Sequence, residues 1–472
     1  MESRPFLVAG RPRDAVEAFE VRSPWDEAIV ARVARPGPGD VEDALREAHG
    51  AREAMRRLPA WRRAEILANV ARRLEDEPDR WAETVVRESG KPWTAARGEV
   101  DRAASTLRAS AAEATRDPGE IVPLDAAPGG EGRLGILRRF PLGVVACITP
   151  FNFPLNLVAH KIGPAVAAGC PFVLKPASKT PSSALDLAQA FVDAGTPPGA
   201  VSVLPLAGEA ATALATDARV RVLSFTGSPE VGWDLKRRAV RQRVVLELGG
   251  NAGVMVDRGA DLERAAARCV AGAFGQAGQS CVSVQRIYVH RDAFEPFLER
   301  LLARVRTLVV GDPMRPETQV GPLVTLSDAR RVAAWIDEAR ASGARVLAGG
   351  SRRGAIVEPT VITGTRPELR ICAREVFGPV AVVEPVGSAA EGIAAVDASE
   401  FGLQAGIFTP DLATALEAYE SIEAGAVLVN EVPTWRSDPM PYGGTKGSGV
   451  GREGPRWAIE DYTEPRLLVL NR

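Results

Sequence analysis

Short apolar strands alternate with helical segments over most of the chain, and this rhythm limits the possible folds more than any other feature. From residue 143 the predicted strands are GVVACIT, FVLK, VSVL, RVLSF and RVVLE, separated by helical patterns near 156–168, 181–194, 208–216 and 229–240. Strands that alternate with helices in this way predict a parallel, doubly wound α/β sheet. Such a sheet binds ligands at the carboxyl ends of its strands.

A second alternating series follows, so we predict two α/β units. It starts at GVMVD and continues through QRIYVH, RVLAGG, EPTVI, AVVEPV and AGIF to AVLVN. At 472 residues the chain also exceeds what one hydrophobic core usually supports. Residues 40–115 have apolar positions at helical spacing, and a Pro- and Gly-rich stretch at 117–133 ends that pattern. The pieces EIVPL and RLGILRRF predict a two-stranded excursion, and the tail DYTEPRLLVLN predicts a strand that pairs with it or with a partner subunit.

Charge and composition argue against several kinds of partner. The formal net charge of -2 offers no attraction to nucleic acid or to an anionic membrane. No apolar run is long enough to cross a bilayer, and MESRPFLVAG lacks the pattern of a signal peptide, so we expect a cytoplasmic protein. The five scattered cysteines and three histidines show no disulfide or zinc spacing, so we expect no metal.

Cys281 lies in a loop of small residues, FGQAGQSC, that would leave its thiol open to a substrate. A nucleophilic thiolate needs such access and a lowered pKa. Cys147, Cys170 and Cys269 lie in apolar contexts and are predicted to be buried. From the loop alone, a structural role for Cys281 is the more common alternative.

Two polar residues at strand ends could assist such a thiol. Glu247 ends the apolar strand of VVLELGGN, where a carboxylate could activate the water that cleaves a thioester. Asn152, in ITPFNFPL, could donate its side-chain amide to a developing oxyanion. Taken singly, an exposed acid and a turn-forming asparagine are the alternatives.

The segment FTGSPEVG (225–232) runs from a strand end into a helix and could receive a phosphate. Ser228 suits the N-cap and Pro229 the first helical position, and the free amides of a helix N-terminus bind anions. The usual dinucleotide fingerprint G-x-G-x-x-G is absent, so the local signal is weak. Lys175, in VLKPASKTP, follows a strand and could meet ribose hydroxyls.

Taken in order, these segments resemble the NAD(P)-dependent aldehyde dehydrogenase superfamily over nearly the whole chain. The resemblance rests on TPFNFPL, LKPASKTP, FTGSPEVG, LELGGN, FGQAGQSC, EVFGPV and PYGGTKGSGVGRE, and FNFPLNLVAHK is similar to lactaldehyde dehydrogenase-like members. It implies an aldehyde dehydrogenase fold that forms homodimers or homotetramers. The implied parts are an NAD(P)-binding, Rossmann-like domain at 1–120 and 141–247, an α/β catalytic domain at 248–445, and a small β oligomerisation element at 121–140 and 458–472.

The resemblance also implies roles for individual residues. Cys281 matches the nucleophile that forms a thiohemiacetal and then an acyl thioester, Glu247 the base that activates water to hydrolyse it, and Asn152 the oxyanion donor. The cofactor, NADP or NAD, is expected to contact Thr149, Pro150, Phe151, Lys175, Ser178, Lys179, Gly208, Thr226, Gly227, Ser228, Leu248, Gly249, Glu375 and Phe377.

Two features bear on the choice of cofactor and of substrate. Ser178 stands where NAD-preferring members commonly have a glutamate, and Lys179 follows it, so we expect NADP to be used at least as well as NAD unless Lys179 points into solvent. We expect a small aldehyde, with anionic and hydroxy aldehydes as candidates. The residues expected to contact it are Phe151, Leu155, Arg108, Ser280, Arg436 and Tyr442, with a surface position as the alternative for Arg108 and for Arg102.

Three other functions are alternatives to this one. Members that acylate CoA generally lack the glutamate found here as Glu247, which favours hydrolysis. A catalytically silent binding or structural member would not need Cys281, Glu247 and Asn152 together. A thiol hydrolase would need a histidine base near Cys281, and none of the three histidines lies in a matching motif.

Overall fold

The computed structural model describes residues 2–116, 119–206 and 208–471, so residues 117 and 118 of the predicted Pro- and Gly-rich break lie outside the described part. Two α/β units account for most of the described residues, each with a mainly parallel sheet and its own apolar core. The alternation of strands and helices predicted from the sequence is confirmed in both units.

The described residues of the first unit form an eight-stranded sheet with a parallel centre and antiparallel edge strands. In spatial order the strands are Gly449–Val450, Arg243–Glu247, Val220–Thr226, Val144–Ile148, Phe172–Lys175, Val201–Val203, Phe6–Val8 and Arg11–Arg13. The helices of this unit are Pro38–Arg57, Ala60–Asp76, Pro78–Ser89, Trp93–Ala114, Asn156–Ala168, Ser182–Asp193, Gly208–Thr216, Pro229–Arg238 and Pro455–Tyr462.

The order of these strands opens a crevice at one edge of the sheet. From Val144–Ile148 the chain adds two strands on one side, then returns to place Val220–Thr226 on the other side. Ligands of open α/β sheets bind at such a reversal, outside the carboxyl ends of the strands. Phe225 pairs with Ile148 and Thr226 pairs with Glu247, so three neighbouring strands end together there.

The second unit contains a seven-stranded sheet among the described residues. In spatial order its strands are Arg345–Ala348, Thr360–Thr363, Val380–Val386, Val284–His290, Ala252–Val256, Gln404–Phe408 and Ala426–Val429. All neighbouring pairs are parallel except the first. The helices are Leu262–Phe274, Arg291–Val305, Leu326–Ala341, Arg370–Ala373, Ala389–Asp397 and Leu412–Ser421.

A separate three-stranded sheet confirms the predicted pairing of the chain's last strand with the excursion. Thr463–Asn471 runs antiparallel to Arg133–Pro141 over its full length, and Arg133–Pro141 also pairs with Glu120–Val122. The predicted oligomerisation element starts at 458, inside helix Pro455–Tyr462. Ala458 and Tyr462 lie four residues apart on this helix and are buried in the first core, and the strand of the separate sheet begins at Thr463.

The remaining short strands and turns complete the described structure. They are Ser3–Arg4, Ala18–Arg22 and Ile29–Ala34 in one sheet, the pairs Arg352–Arg353 with Ile356–Val357 and Phe401–Gly402 with Thr445–Lys446, and the 3-10 turns Leu124–Ala126 and Gly275–Gly278. Cys147, Cys170 and Cys269 are fully buried, as predicted. Within the described ranges, no helix combines the length and the apolar character needed to cross a membrane.

Candidate active site

A cavity of about 460 Å³ lies where the strand ends of the first sheet meet the second unit, a volume typical of a small-molecule site. Most of the residues predicted to form the site line this one cavity. They are Pro150, Phe151, Asn152, Thr226, Gly227, Ser228, Glu247, Leu248, Gly249, Ser280, Cys281, Glu375, Phe377, Arg436 and Tyr442.

The loop that carries Cys281 is held by close backbone contacts. Three consecutive residues before it, Gln276, Ala277 and Gly278, have positive φ and turn the chain sharply out of the preceding helix. A Cβ on Gly250 would lie 1.9 Å from the carbonyl oxygen of Cys281. Only glycine allows this approach, which places the segment after Glu247 directly against the Cys281 loop.

The sulfur of Cys281 lies 3.1 Å from the hydroxyl oxygen of Tyr442. Part of the residue reaches solvent, but burial of its thiol raises the pKa of Cys281 to about 12. The Tyr442 hydroxyl opposes this rise, while the carboxyl groups of Glu375 and Glu247 add to it. The thiol is therefore neutral in the protein alone, and a base must take its proton before it can attack.

Glu247 is buried, and both of its carboxyl oxygens lack a hydrogen-bond partner among the described residues. Burial raises the pKa of Glu247 well above its ordinary value, and the nearby Glu453 raises it further. A carboxyl group with a raised pKa binds a proton more readily than an ordinary carboxyl group, which suits a general base.

Asn152 is fixed by the Cys281 loop and by the helix that follows it. Its side-chain NH2 group donates to the backbone carbonyl of Gln279 at 3.0 Å, and the backbone carbonyl of Asn152 accepts a hydrogen bond from the Gln276 side chain. The buried Glu99 accepts hydrogen bonds from the backbone N–H groups at the start of helix Asn156–Ala168, at 2.9 and 3.1 Å. That helix start and the Cys281 loop therefore hold the asparagine between them.

A chain of polar contacts joins two arginines that line the cavity, Arg102 and Arg436. Arg102 pairs with Asp438 at 3.0 Å, and His160 Nε2 lies 3.1 Å from the same carboxylate oxygen. Arg436 approaches His160 Nδ1 at 3.3 Å, so this nitrogen accepts and Nε2 donates to Asp438. Burial, with a contribution from Arg436, lowers the pKa of His160 to about 4 and keeps the ring neutral.

Behind this chain of contacts lies a buried ion pair. Lys161 donates to Glu453 at 2.8 Å and to the Ser224 hydroxyl at 3.0 Å. Arg436 lies 3.9 Å from the second oxygen of Glu453. Lys161 in particular, with Arg436, lowers the pKa of Glu453 despite its burial, whereas burial raises the pKa of Glu247.

Farther along the strand ends, the loop after Phe172–Lys175 extends the site. The Thr149 N–H donates to the Lys175 carbonyl at 3.1 Å, and the Ser178 hydroxyl donates to the Leu206 carbonyl at 3.2 Å. Lys179 is exposed, and Gly208 begins the next helix. These residues share the sheet edge but do not line the cavity.

Comparison with known proteins decides the family. A sequence model described as the aldehyde dehydrogenase family matches residues 11–468. The chain belongs to the aldehyde dehydrogenase family. This aldehyde dehydrogenase is 43% identical over 467 residues to a 3-sulfolactaldehyde dehydrogenase of Priestia aryabhattai, covering 99% of this chain and 98% of the relative. The predicted likeness to lactaldehyde dehydrogenase-like members is confirmed.

Solved structures give the same family and fold. Aldehyde dehydrogenase 21 from Physcomitrella patens, in complex with the reaction product succinate, is 40% identical with a TM-score of 0.97, covering 100% of this chain and 98% of the other. An NADP-dependent glyceraldehyde-3-phosphate dehydrogenase from Bacillus halodurans, complexed with NADP, is 32% identical with a TM-score of 0.97 and covers 100% of both chains. The predicted α/β aldehyde dehydrogenase fold is thereby confirmed.

The strand-end residues of this aldehyde dehydrogenase suit a dinucleotide. The Thr226 hydroxyl is buried without a partner, and the side chain of Lys175 makes no hydrogen bond or ion pair within the described ranges. Ser228 precedes Pro229 at the start of a ten-residue helix, whose free amides can receive a phosphate. Burial raises the pKa of Glu375 to about 7, which leaves it able to accept a hydrogen bond from a ribose hydroxyl.

Two residues predicted to contact the substrate do not reach the cavity. Leu155 is fully buried in the first core, and Leu157 lines the cavity instead. Arg108 is half-exposed and pairs with Glu75 of the neighbouring helix. It lies six residues after Arg102, and six residues on an α-helix turn a side chain to a different face.

Sequence reasoning missed the buried charges of the aldehyde dehydrogenase site. His160 and Lys161 lie in helix Asn156–Ala168, whose thirteen residues are all buried and otherwise carry only one polar side chain. Two basic residues in so apolar a helix are a signal that could have been read. Asp438 and Glu453 gave no such signal, because they lie among loop residues where acids are common.

Proposed function

We propose that this aldehyde dehydrogenase oxidises a small aldehyde that carries an anionic group to its carboxylic acid, with NADP or NAD as cofactor. The observation that carries the proposal is the single cavity in which Cys281, Glu247 and Asn152 lie together with Arg102 and Arg436. The bound nicotinamide supplies the acceptor for the hydride that leaves the aldehyde carbon.

In this proposal different residues of the chain act in the attack on the aldehyde and in the release of the acid. The Cys281 sulfur adds to the aldehyde carbon, and the Asn152 amide with the Cys281 backbone N–H stabilises the oxygen that gains negative charge. After the oxidation an acyl group remains on the sulfur. Glu247 takes a proton from water, the water oxygen attacks the thioester carbon, and the acid leaves as the thiol is restored.

The charges around Arg102 and Arg436 support an anionic substrate. Among the described residues, Arg102, Arg436 and Lys161 form ion pairs with two carboxylates, Asp438 and Glu453, and the neighbouring His160 is neutral. One positive charge is left over in a partly buried site. A carboxylate, sulfonate or phosphate on the substrate would balance it, whereas a neutral aldehyde would not.

The three relatives described above fit this proposal, since each is named for an anionic substrate or product. We propose that NADP is used at least as well as NAD here, because Ser178 puts no negative charge beside a 2′-phosphate and Lys179, although exposed, can turn its ammonium group toward one. We also propose a cytoplasmic enzyme that forms a homodimer or homotetramer through the strand Thr463–Asn471. The side chains of Leu467, Leu468 and Leu470 on that strand are each 43% exposed or more.

The test is a panel of aldehydes of equal length that end in a carboxylate, sulfonate, phosphate or methyl group. We expect kcat/KM to be roughly 10- to 100-fold higher for an anionic member than for the methyl analogue, because a charged hydrogen bond contributes about 1.5–3 kcal/mol. Arg102→Met and Arg436→Met should each reduce this preference. Arg108→Met is the matched control on the same helix and should keep it.

The result against the proposal is a panel in which the methyl aldehyde is oxidised as well as its anionic analogues. Both cofactors are used with each aldehyde, and Lys179→Met is compared with Lys236→Met, another exposed lysine. A loss of NADP use confined to Lys179→Met supports the assigned 2′-phosphate contact. A strong preference of the wild-type enzyme for NAD contradicts it.

A further inference from the structure

The hydroxyl of Tyr442 is aimed at the reacting atom itself. It lies 3.1 Å from the Cys281 sulfur, and it has no other hydrogen-bond partner within the described ranges. Tyr442 is buried and held by two backbone hydrogen bonds to Glu453, one in each direction, at 3.0 and 2.6 Å. The ring is therefore fixed in place, and its single polar atom faces the thiol.

The side chain of Arg436 lies against the ring of Tyr442. The guanidinium carbon of Arg436 is 3.8 Å from the centroid of the Tyr442 ring, close enough for a strong cation–π interaction. A positive charge over the ring draws electron density from the phenol oxygen, which makes its O–H a better hydrogen-bond donor. The other titratable groups that act on the thiol and the phenol are Glu247 and Glu375.

The protonation states agree with a donating phenol. Burial raises the pKa of Tyr442 well above its ordinary value, so the hydroxyl keeps its proton throughout the working range of pH. The same hydroxyl lowers the pKa of Cys281, against the larger effect of burial. Phenylalanine would fill the same space without supplying this donor.

We propose that Tyr442 is a catalytic residue whose hydroxyl, backed by Arg436, donates a hydrogen bond to the Cys281 thiolate and so increases the amount of thiolate ready to attack. The proposal rests on the proposed role of Cys281 as nucleophile. The thiol proton passes to water, and Tyr442 keeps its own proton. When the sulfur lone pair forms the new C–S bond, the carbonyl π electrons move to oxygen and the Tyr442 hydrogen bond loses its charged acceptor.

The expected effect of removing the hydroxyl has two opposing parts. Losing a hydrogen bond to a charged group should reduce the thiolate fraction roughly 10- to 100-fold at pH values below the thiol pKa. A more basic thiolate is also a better nucleophile, which returns roughly 3- to 10-fold of that loss. The net expectation is a thiol that reacts about 3- to 10-fold more slowly near neutral pH.

The experiment measures alkylation of Cys281 by iodoacetamide from pH 6 to 10, without cofactor, with the modified residue identified by mass spectrometry. We compare the wild-type enzyme with Tyr442→Phe, and use Tyr419→Phe, a change at a tyrosine that is 70% exposed, as the matched control. This range lies below the pKa of the thiol, so Tyr442→Phe should be alkylated more slowly at each pH. Looser packing alone would open the site and speed alkylation, so an equal or faster rate overturns the proposal.

Arg436→Met gives a second measurement of the alkylation rate of Cys281, and it can be used even if Tyr442→Phe folds poorly. Removing the cation should slow alkylation in the same direction, and an unchanged or faster rate counts against the proposal. Cys281→Ala separates this inference from the proposed function. If Cys281→Ala keeps aldehyde oxidation, the nucleophile itself is wrongly assigned, whatever Tyr442→Phe shows.

Discussion

Two buried regions of the site respond to charge in opposite ways. Glu247 lines the cavity with Cys281, neither of its carboxyl oxygens has a hydrogen-bond partner among the described residues, and burial raises its pKa. Glu453, which lies 3.9 Å from Arg436, is just as buried, but Lys161 donates to it at 2.8 Å and its pKa is lowered. The pKa values of two equally buried glutamates therefore shift in opposite directions, because within the described ranges only Glu453 has a cation at hydrogen-bond distance.

This difference separates groups that must change protonation from groups that must keep it. A buried carboxyl group without a partner binds a proton more readily and can serve as a base. A carboxylate held by a lysine keeps its charge and fixes the groups around it. The two lysines also differ in their contacts, since Lys161 is paired whereas Lys175 has no side-chain partner within the described ranges.

Removing the ionisable group of Glu247 gives the largest expected effect. In Glu247→Gln the thioester still forms, but no base activates the water, so steady-state kcat should fall roughly 100- to 10,000-fold. Rapid mixing should still show one equivalent of reduced nicotinamide per site in the first turnover. Stability should change little, because no partner of Glu247 is lost.

The outcome that would contradict this role is an equal loss in the first turnover and in the steady state. That result would place Glu247 in the attack step rather than in release. Added CoA provides a further check, because a wild-type rate that rises with CoA would show that CoA accepts the acyl group in place of water.

Removing the charge of Glu453 should act on stability before it acts on chemistry. Glu453→Gln leaves Lys161 buried without its carboxylate, and breaking one partner of a buried ion pair costs about 3–5 kcal/mol. Urea unfolding followed by tryptophan fluorescence measures this loss, with Glu247→Gln as the control of equal burial. Equal unfolding free energies for the two variants would end the distinction drawn between the two carboxyl groups.

Lys175 tests whether a cation without a protein partner serves to bind a ligand. Because it has no protein partner, Lys175→Met should cost little stability but weaken cofactor binding roughly 10- to 100-fold, the value of a hydrogen bond from a charged group. Quenching of protein fluorescence by NADP or NAD reports the dissociation constant, and Lys236→Met is the control. Unchanged binding in Lys175→Met would remove it from the cofactor site.

The fold and most of the site could be predicted because both depend on local patterns. Strands such as Val144–Ile148 and Arg243–Glu247 are apolar runs between helical segments, and their polar ends mark where ligands bind. The order of the motifs then placed Cys281, Glu247 and Asn152 in one site. The strand pairing of the tail was also readable from its apolar run.

The rest depended on which side chains meet across the fold. Arg102 and Arg108 lie on one helix, and nothing in the sequence shows that the first faces the cavity while the second meets Glu75. Lys161 and Glu453 are 292 residues apart, so their pairing has no local signature. Which buried charge has a partner decides its protonation, and that information exists only in the folded chain.

His160 offers the smallest and most selective test of the buried charges around Glu453. Its pKa is lowered from 6.5 to about 4 by burial, so between these values the unfolded chain binds a proton that the folded chain does not. Stability therefore falls as the pH drops through this window, and the share due to His160 between pH 7.5 and 5.5 is about 1 kcal/mol.

Unfolding free energies of wild type and His160→Gln at both pH values measure this share. At pH 7.5 the two differ by packing and by the hydrogen bonds of His160, and at pH 5.5 the difference in unfolding free energy should shift by that amount in favour of the variant, since glutamine does not titrate. If the difference in unfolding free energy is the same at both pH values, burial does not lower the pKa of His160, and Asp438 rather than burial controls its charge.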